Sequence, residues 1–190
     1  FCFQFLHLLF DIYLSKINAQ RNFLTFAVYS TMFPYTSAGP IIRYADIEEQ
    51  LTHRSLNVSR FGLGAELFVK GLAKKVLLAD NLSALYAGIC GHSQMSVFTA
   101  WIGILAYTMQ LYFDFSGYSD MAIGLGKMLG FDFNKNFDYP YISTSVSEFW
   151  RRWHISLGSW FRDYIYIPLG GNRVSTLKHV RNILIVWALT

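Results

Sequence analysis

The sequence predicts an all-α protein, a polytopic membrane helical bundle with interfacial helices, and three observations support this fold class. Hydrophobic residues make up 53% of the 190 residues and charged residues only 15%, well below the ~25% charged residues typical of soluble domains. Aromatic residues reach 18%, as expected where rings meet lipid tails and headgroups. Residues 22–42 contain no Lys, Arg, Asp, Glu or His. A large soluble core helix is the alternative for such a run.

The predicted helices follow from the places where apolar runs meet turn residues. Residues 1–14 are predicted to be the end of a spanning helix, and residues 16–21 a short polar turn. A second helix over residues 22–33 is broken at Pro34 and the glycine–proline pair that follows. Residues 41–60 are predicted to be a mixed-charge polar segment.

Two further helices are predicted before the basic half of the chain. Residues 61–86 carry apolar residues at helical spacing and a favourable i,i+4 pair of Glu66 and Lys70. This helix either lies in the membrane interface or spans the bilayer and ends at residues 74–75, and both alternatives stay open. The clearest predicted span covers residues 97–113. We therefore expect a single all-helical region over the whole chain.

The two ends of the sequence suggest an internal piece of a longer protein. The chain begins inside an apolar stretch without an initiator Met, and residues 181–190 start another apolar helix. Cys2 and Cys90 match neither a disulfide framework nor a zinc motif, and no metal site is predicted. We expect further helices on both sides.

The net charge of +4 is concentrated between residues 127 and 181, which hold eight Lys or Arg and four Asp or Glu. A basic connecting region beside apolar helices indicates the cytoplasmic face of a membrane. Nucleic-acid binding is the alternative explanation for a basic patch, and apolar helices on both sides argue against it.

Two carboxylates inside an apolar run are candidate substrate-binding residues, Asp114 and Asp120. A carboxylate at the centre of a membrane helix costs ~2.5–3.5 kcal/mol on insertion scales, so such residues usually serve a function. The alternative is that both lie at an interface, where Gly117 lets the chain turn and the carboxylates cap helix ends.

The most distinctive histidine, His154, lies in a helix predicted to start near Ser145, where the sequence matches an S-x-x-E capping box. On one continuous helix, five residues would share a face with this histidine: Ser147, Trp150, Arg151, Gly158 and Phe161. A neighbouring arginine would keep the imidazole neutral, as a general base must be. The alternatives are a buried histidine bonded to a backbone carbonyl and, for the tryptophans, an interfacial belt.

Four stretches resemble motifs of the membrane-bound O-acyltransferase (MBOAT) family and follow the family's order. They are residues 33–44, 112–131 and 136–173, and the helix start after Arg181. The third, NFDYPYISTSVSEFWRRWHISLGSWFRDYIYIPLGGNR, is long and specific. The chain is similar to the bacterial branch that acetylates alginate or peptidoglycan or transfers D-alanine.

The resemblance implies a multi-pass enzyme of the inner membrane. Such an enzyme moves an acyl group, acetyl by analogy, from a cytoplasmic thioester such as acetyl-CoA to hydroxyl groups of an exported polysaccharide. A periplasmic protein can serve as an intermediate carrier, and neither a bound cofactor nor nucleic acid is implied.

The resemblance assigns His154 to the active site and places a second family histidine beyond Thr190, so the fragment alone is expected to be inactive. The other histidines lie in different contexts, and His179 is expected in a polar turn.

The resemblance also suggests roles for the residues around His154. It implies that Trp150, Arg151 and Arg152 contact substrate, the two arginines through donor phosphates. The residues expected to orient the ones that contact substrate are Arg162, Asp163 and Gly158. Many relatives carry a small hydroxyl residue in place of this glycine.

Two other functions compete with acyl transfer. A transporter would also use intramembrane carboxylates and broken helices. A scaffold for partner enzymes is a third possibility, but it leaves the RRWHISLG stretch without a purpose.

Overall fold

The computed structural model describes residues 2–35, 39–92 and 95–189, which form helices, turns and loops without a strand among them. The predicted all-α class is therefore confirmed for this part of the chain. Among the described residues, no helix combines the length and the apolar character that crossing a bilayer requires. The α-helices are α1 (Cys2–Tyr13), α2 (Phe23–Thr31), α3 (Tyr44–Thr52), α4 (Val58–Ala73), α5 (Asp80–Cys90), α6 (Val97–Met128), α7 (Val146–Arg152), α8 (Ile155–Phe161) and α9 (Thr176–Leu189).

The chain divides into two compact units. The first unit comprises residues 1–19, 41–45 and 135–190, and the second unit comprises residues 20–40 and 46–134. Short irregular helices link some of the elements. They are 3-10 turns at Phe33–Tyr35 and Pro140–Ile142, and π-helical turns at Lys74–Ala79 and Arg162–Tyr166.

Glycines bring α4 and α6 into close contact in the second unit. A Cβ atom added to Gly71 would lie 2.5 Å from the carbonyl oxygen of Gly117, and one added to Gly64 would lie 2.7 Å from that of Gly124. Such separations leave no room for a side chain. Small residues at two crossing points therefore allow the two backbones to approach, which is the usual basis of tight helix packing in apolar surroundings.

Ion pairs add to this packing where the π-helical turn Lys74–Ala79 follows α4. Lys74 Nζ lies 2.5 Å from Asp120 Oδ2, and Lys75 Nζ lies 2.8 Å from Asp114 Oδ1. Both carboxylates lie on α6, so each pair joins the turn to that helix. Lys75 Nζ also lies 2.7 Å from Asp80 Oδ1, so this lysine pairs with two carboxylates of the second unit.

The predicted end of a helix near residue 113 is wrong, because α6 continues without interruption to Met128. Gly117 does not turn the chain. It is buried inside the helix, where its missing side chain makes room for the neighbouring backbone. Asp114 and Asp120 are consequently interior helix residues and not caps, and each has a lysine partner that offsets part of the cost of a charge there.

Several other boundaries of the second unit differ from the sequence prediction. α2 is confirmed, with the side chain of Asn22 as its N-cap, and it ends before Pro34. Residues 36–38 of the predicted break lie outside the described residues. α3 was missed because its sequence is polar, and α4 begins earlier than predicted, at an N-cap formed by Asn57, whose Oδ1 accepts the N–H of Arg60 at 2.7 Å.

The first unit is held together by hydrogen bonds between its turns and helices. The Trp160 indole N–H donates to the Phe3 carbonyl at 3.2 Å, and the Tyr164 hydroxyl donates to Asp11 Oδ2 at 2.6 Å. Fully buried Asn182, on α9, donates to the carbonyls of Leu169 and Gly171, both at 3.1 Å. These contacts fix α1 and α9 against the segment that contains α8.

The loop between α8 and α9 is the predicted turn, and Gly170 and Gly171 have φ of 97° and 56°, a conformation that favours glycine. The expectation of a polar turn around His179 is wrong, because α9 already begins at Thr176. α9 begins five residues before Arg181, after which the apolar helix was predicted to start. His179 Nε2 lies 3.0 Å from the Tyr166 hydroxyl oxygen.

Candidate active site

A sharp corner in the first unit holds the histidine that the sequence singles out. α7 ends at Arg152 and α8 begins at Ile155, and His154 between them has φ of 45° and ψ of 54°. The predicted start of the helix is confirmed, since Ser145 Oγ accepts the N–H of Glu148 at 3.1 Å. The predicted continuous helix through the histidine is wrong.

The corner exists because the preceding loop takes over the backbone hydrogen bonds that a continuous helix would form. The Ile155 N–H donates to the Asn136 carbonyl at 2.9 Å, and the Asp138 N–H donates to the Arg152 carbonyl at the same distance. The left-handed conformation of a residue other than glycine costs on the order of 1–3 kcal/mol. The two bonds from the loop help to hold His154 in it.

The side chain of Asn136 is the centre of a polar cluster beneath the histidine ring. Its Oδ1 accepts the Ser156 N–H at 3.1 Å and the Ser156 hydroxyl at 2.9 Å, and it lies 3.2 Å from His154 Nδ1. Ser156 Oγ in turn accepts the N–H of Ile41 at 3.0 Å. Asn136 is 1% exposed, so these contacts are made away from water.

The imidazole of His154 is neutral at physiological pH. Burial lowers the pKa of His154 to about 4, because the charged form loses its hydration. A neutral ring was predicted from the charge of a neighbouring arginine, whereas burial is the cause. A neutral imidazole has one basic nitrogen, which is what a general base requires.

The histidine lies on the wall of a cavity of about 530 Å³ whose lining is mainly apolar. All five residues that were expected to share its face border this cavity, although they are distributed over two helices and not one. α9 contributes Ile183, Val186 and Trp187, and the rings of Trp187 and Trp150 meet edge to face at 5.3 Å. The site is therefore a pocket with a neutral base and few polar groups.

Gly158 forms part of this lining and leaves space there. A Cβ atom at this position would meet only the Trp150 carbonyl oxygen, at an ordinary contact distance of 3.6 Å. The residue lies within α8 with no φ that demands glycine. Neither the backbone conformation nor close packing requires glycine at this position. The effect of the glycine is to leave this part of the cavity open.

The two adjacent arginines have different surroundings. Arg152 is bound to acidic residues, since its Nη2 lies 2.9 Å from Glu148 Oε1 and its Nη1 lies 3.6 Å from Asp138 Oδ2. Arg151 is exposed and borders the cavity. Of these two arginines, Arg151 is the one that borders the cavity.

Asp163, in the π-helical turn that follows α8, forms ion pairs with two arginines. Arg162 Nε lies 2.7 Å from its Oδ1, and Arg43 Nη2 lies 2.7 Å from its Oδ2. Burial alone would raise the pKa of Asp163, but the hydrogen bonds from both arginines outweigh it and hold the pKa below its usual value. Arg162 borders the cavity as well.

The remaining predicted site residues, Asp114 and Asp120, belong to the second unit and are paired there with lysines. Sequence reasoning missed three residues of the first unit that matter, Asn136, Ser156 and Arg43. All three fall inside the stretches that resemble family motifs, and that position was the available signal. No group of three or more His, Cys, Asp or Glu among the described residues is arranged to hold a metal ion.

Comparison with known proteins shows one family and several relatives that are similar to this chain. The sequence model of the membrane-bound O-acyltransferase family, MBOAT, matches residues 15–190. The chain is 48% identical over 189 residues to "Probable alginate O-acetylase AlgI" of Pseudomonas aeruginosa, covering 100% of this chain and 36% of that protein. It is 42% identical to the peptidoglycan O-acetyltransferase of Helicobacter pylori, covering 88% and 33% of the two chains.

A more distant relative shares the same region. The teichoic acid D-alanyltransferase of Bacillus subtilis is 31% identical over 146 residues, covering 71% of this chain and 35% of its own. The chain spans little more than a third of the length of the curated relatives that it matches.

Proposed function

Because the chain belongs to the membrane-bound O-acyltransferase family, we propose that the whole protein transfers an acetyl group to hydroxyl groups of an exported polysaccharide. Two relatives are named as O-acetylating enzymes of alginate and peptidoglycan, and a third as a D-alanyltransferase of teichoic acid. An alginate-like polymer is the preferred acceptor, since the alginate acetylases are similar over the full chain. The observation that carries the proposal is the neutral His154 on the wall of an apolar cavity.

In the proposed reaction His154 is the general base. It accepts the proton of the acceptor hydroxyl while that oxygen attacks the carbonyl carbon of a thioester. A C–O bond forms and the C–S bond breaks. The proton then passes from the imidazolium to the departing thiolate, so the products are an ester and a free thiol. The apolar lining excludes water that would otherwise hydrolyse the thioester.

The proposed donor is acetyl-CoA or another acyl thioester, and Arg151 is its proposed phosphate contact. This arginine borders the cavity, whereas Arg152 is held by Glu148 and Asp138. We expect Arg151→Gln to raise the apparent KM for acetyl-CoA about tenfold with a smaller change in kcat, because one charge-assisted hydrogen bond is lost. An unchanged KM would exclude this role.

The proposed location is the cytoplasmic membrane, with the helices of the whole protein crossing it several times. Family membership and the apolar composition support this placement. The acetyl group reaches the polymer directly or through a periplasmic acyltransferase. The transporter alternative rested on intramembrane carboxylates and broken helices. Asp114 and Asp120 each pair with a lysine, and the relatives carry the names of transferring enzymes.

The test of the proposed function uses the full-length protein in a host that lacks its own copy. Ester-linked acetate on the exported polysaccharide is compared for wild type, His154→Ala and the control His53→Ala, at equal membrane abundance. His53 is an exposed histidine of the second unit.

We expect His154→Ala to lower acetate at least about 100-fold, the usual contribution of a general base, and His53→Ala to leave it unchanged. Normal acetylation by His154→Ala would exclude the histidine as the base. If the host that carries the wild-type protein has no ester-linked acetate on its polysaccharide, either acetyl is not the group transferred or this polysaccharide is not the acceptor.

A further inference from the structure

The tautomer of His154 follows from the hydrogen bonds around Asn136. The Ser156 N–H can only donate, and it points at the Asn136 atom assigned as Oδ1. That atom must therefore be the carbonyl oxygen and not the amide nitrogen. Because the oxygen can only accept, the approach of His154 Nδ1 to 3.2 Å is favourable only when Nδ1 carries the proton. In the Nδ1–H tautomer, Nε2 is the basic nitrogen of the ring.

Ser156 reinforces this assignment. Its hydroxyl donates to Asn136 Oδ1 at 2.9 Å and accepts the Ile41 N–H at 3.0 Å, so its proton and one lone pair are already in use. The longer separation of 3.5 Å between Ser156 Oγ and His154 Nδ1 makes the serine the weaker contact of the ring. Asn136 is therefore the principal partner of Nδ1.

The asparagine is itself held rigidly. Its backbone carbonyl accepts the Ile155 N–H at 2.9 Å, so the same residue contacts the histidine from one side and anchors the start of α8 from the other. Phe137, the next residue, stacks on the imidazole with ring centroids 6.4 Å apart and an interplanar angle of 21°. Residues 136 and 137 thus set both the rotation and the tilt of the ring.

The Nδ2 group of Asn136 is buried and forms no hydrogen bond within the described part of the chain. The side chain is therefore used through its oxygen. An aspartate would supply the same oxygen and would also supply a negative charge. The choice of an amide keeps this partner of His154 neutral, so that Asn136 brings no negative charge to Nδ1.

We propose that Asn136 is a positioning residue, whose amide oxygen fixes the Nδ1–H tautomer of His154 so that Nε2 takes the proton of the acceptor hydroxyl. This inference rests on the proposed function and adds a residue to it. The neutral partner also favours the second half of the reaction, because a weakly basic imidazole passes its proton readily to the departing thiolate.

Among the described residues, three other charged or titratable side chains line the cavity around His154. Arg151 comes from α7, and Arg162 and Tyr166 come from the π-helical turn after α8. α9 contributes only apolar and aromatic residues to the lining, and Asp138 is engaged with Lys135 and Arg152. The hydrogen bond at Nδ1 is made by Asn136.

The test compares Asn136→Asp and Asn136→Ala in the purified full-length protein, with acetyl-CoA as donor and alginate oligosaccharides as acceptor. Asn57→Asp is the matched control, because it makes the same chemical change at a helix N-cap, where aspartate serves as well as asparagine. Thiol release is followed from pH 4 to pH 9.

We expect Asn136→Asp to move the acidic limb of the kcat profile upward by about 1–3 pH units, as a carboxylate next to a cation does, while its kcat at pH 8 stays within fivefold of wild type. We expect Asn136→Ala to lower kcat roughly 10- to 100-fold at every pH with KM within about twofold, since only orientation is lost. Asn57→Asp should match wild type throughout. A merely structural role would lower the amount of folded protein without moving the pH profile.

A second readout does not depend on activity. Diethyl pyrocarbonate acylates neutral imidazole, and peptide mass spectrometry reports the labelling rate of His154 at each pH. Labelling that stops at a higher pH in Asn136→Asp than in wild type supports the inference, even if the acceptor has been chosen wrongly. If the labelling and kcat profiles of folded Asn136→Asp coincide with those of wild type, the inference is wrong. If Asn136→Asp does not fold, a normal kcat of Asn136→Ala overturns it.

Discussion

The two units use polar residues among apolar neighbours in different ways. In the second unit, Lys74 and Lys75 neutralise Asp120 and Asp114 across the contact of α6 with the preceding π-helical turn. In the first unit, the Asn136 and Ser156 side chains beside His154 Nδ1 are uncharged, and they share hydrogen bonds through the Asn136 amide oxygen. A cavity borders this corner.

This contrast shows how to interpret a polar residue in an apolar sequence. A carboxylate that forms an ion pair with a lysine has a structural explanation, because an unpaired charge at the same position would be costly. A neutral histidine held by an amide and facing a cavity has no such explanation from stability alone. The second unit is therefore expected to respond to substitutions through stability, and the first unit through activity.

The largest expected effect in the second unit comes from Gly71→Val. Its Cβ would lie 2.5 Å from the Gly117 carbonyl oxygen and 2.8 Å from the Met121 backbone nitrogen, so α4 and α6 must separate. We expect a loss of about 3 kcal/mol in the free energy of unfolding, at the upper end of overpacking effects. The measurement is the thermal midpoint of the full-length protein in detergent.

The control for this substitution is Gly88→Val, since a Cβ atom at Gly88 meets nothing within 4 Å. This control should be as stable as wild type or slightly more stable, because glycine is unfavourable in a helix. Equal destabilisation by both substitutions would contradict the assigned role of the close contact.

A smaller effect is expected from removing one charge, in Asp120→Asn. The pair with Lys74 is partly exposed, with side chains 24% and 32% accessible, so screening limits its contribution to on the order of 1 kcal/mol. The double variant with Lys74→Gln should recover part of the loss, which a double-mutant cycle measures.

Activity per folded molecule separates structure from chemistry at this position. We expect Asp120→Asn to retain at least half of the wild-type kcat, because the carboxylate is proposed only to pair with lysine. A folded Asp120→Asn protein with no activity would give this carboxylate a role in chemistry, and the distinction between the two units would fail.

The smallest effect is expected from Gly158→Ala in the first unit. The new methyl group would be 3.6 Å from the nearest heavy atom, so the substitution should stabilise α8 by up to ~1 kcal/mol. We expect turnover of acetyl-CoA within about twofold of wild type, since one methyl group occupies little of the cavity.

Larger side chains at position 158 test the cavity itself. With Gly158→Leu, turnover of butyryl-CoA should fall more than turnover of acetyl-CoA, because the longer acyl chain needs the space that leucine fills. Equal loss for both donors would mean that the acyl group does not lie beside this residue.

Much of the fold could be predicted from local sequence rules. The cap at Ser145, the helix ending before Pro34 and the turn at Gly170–Gly171 follow from side-chain capping and backbone restrictions that act within a few residues. The cavity itself was not predicted, but the five residues expected to share a helix face with His154 all border it, although the helix is interrupted at the histidine.

The features that were missed depend on partners far away in the sequence. The bend at His154 requires a loop that lies 16 to 18 residues earlier and accepts or donates the backbone hydrogen bonds of the corner. The continuity of α6 through Gly117 depends on contact with α4, 46 residues earlier at Gly71. Periodicity within one helix carries no information about either contact.

The central claim is that His154 is a neutral base whose proton lies on Nδ1. The most direct test is nitrogen NMR of the full-length protein with ¹⁵N-labelled histidine, where His154→Gln identifies the signal and the spectrum is followed as the pH is lowered. Since burial places the pKa at about 4, we predict a neutral ring at pH 6, with a protonated Nδ1 and an unprotonated Nε2, that becomes charged only as the pH falls towards 4. A doubly protonated ring at pH 6, or a proton on Nε2, would contradict the account.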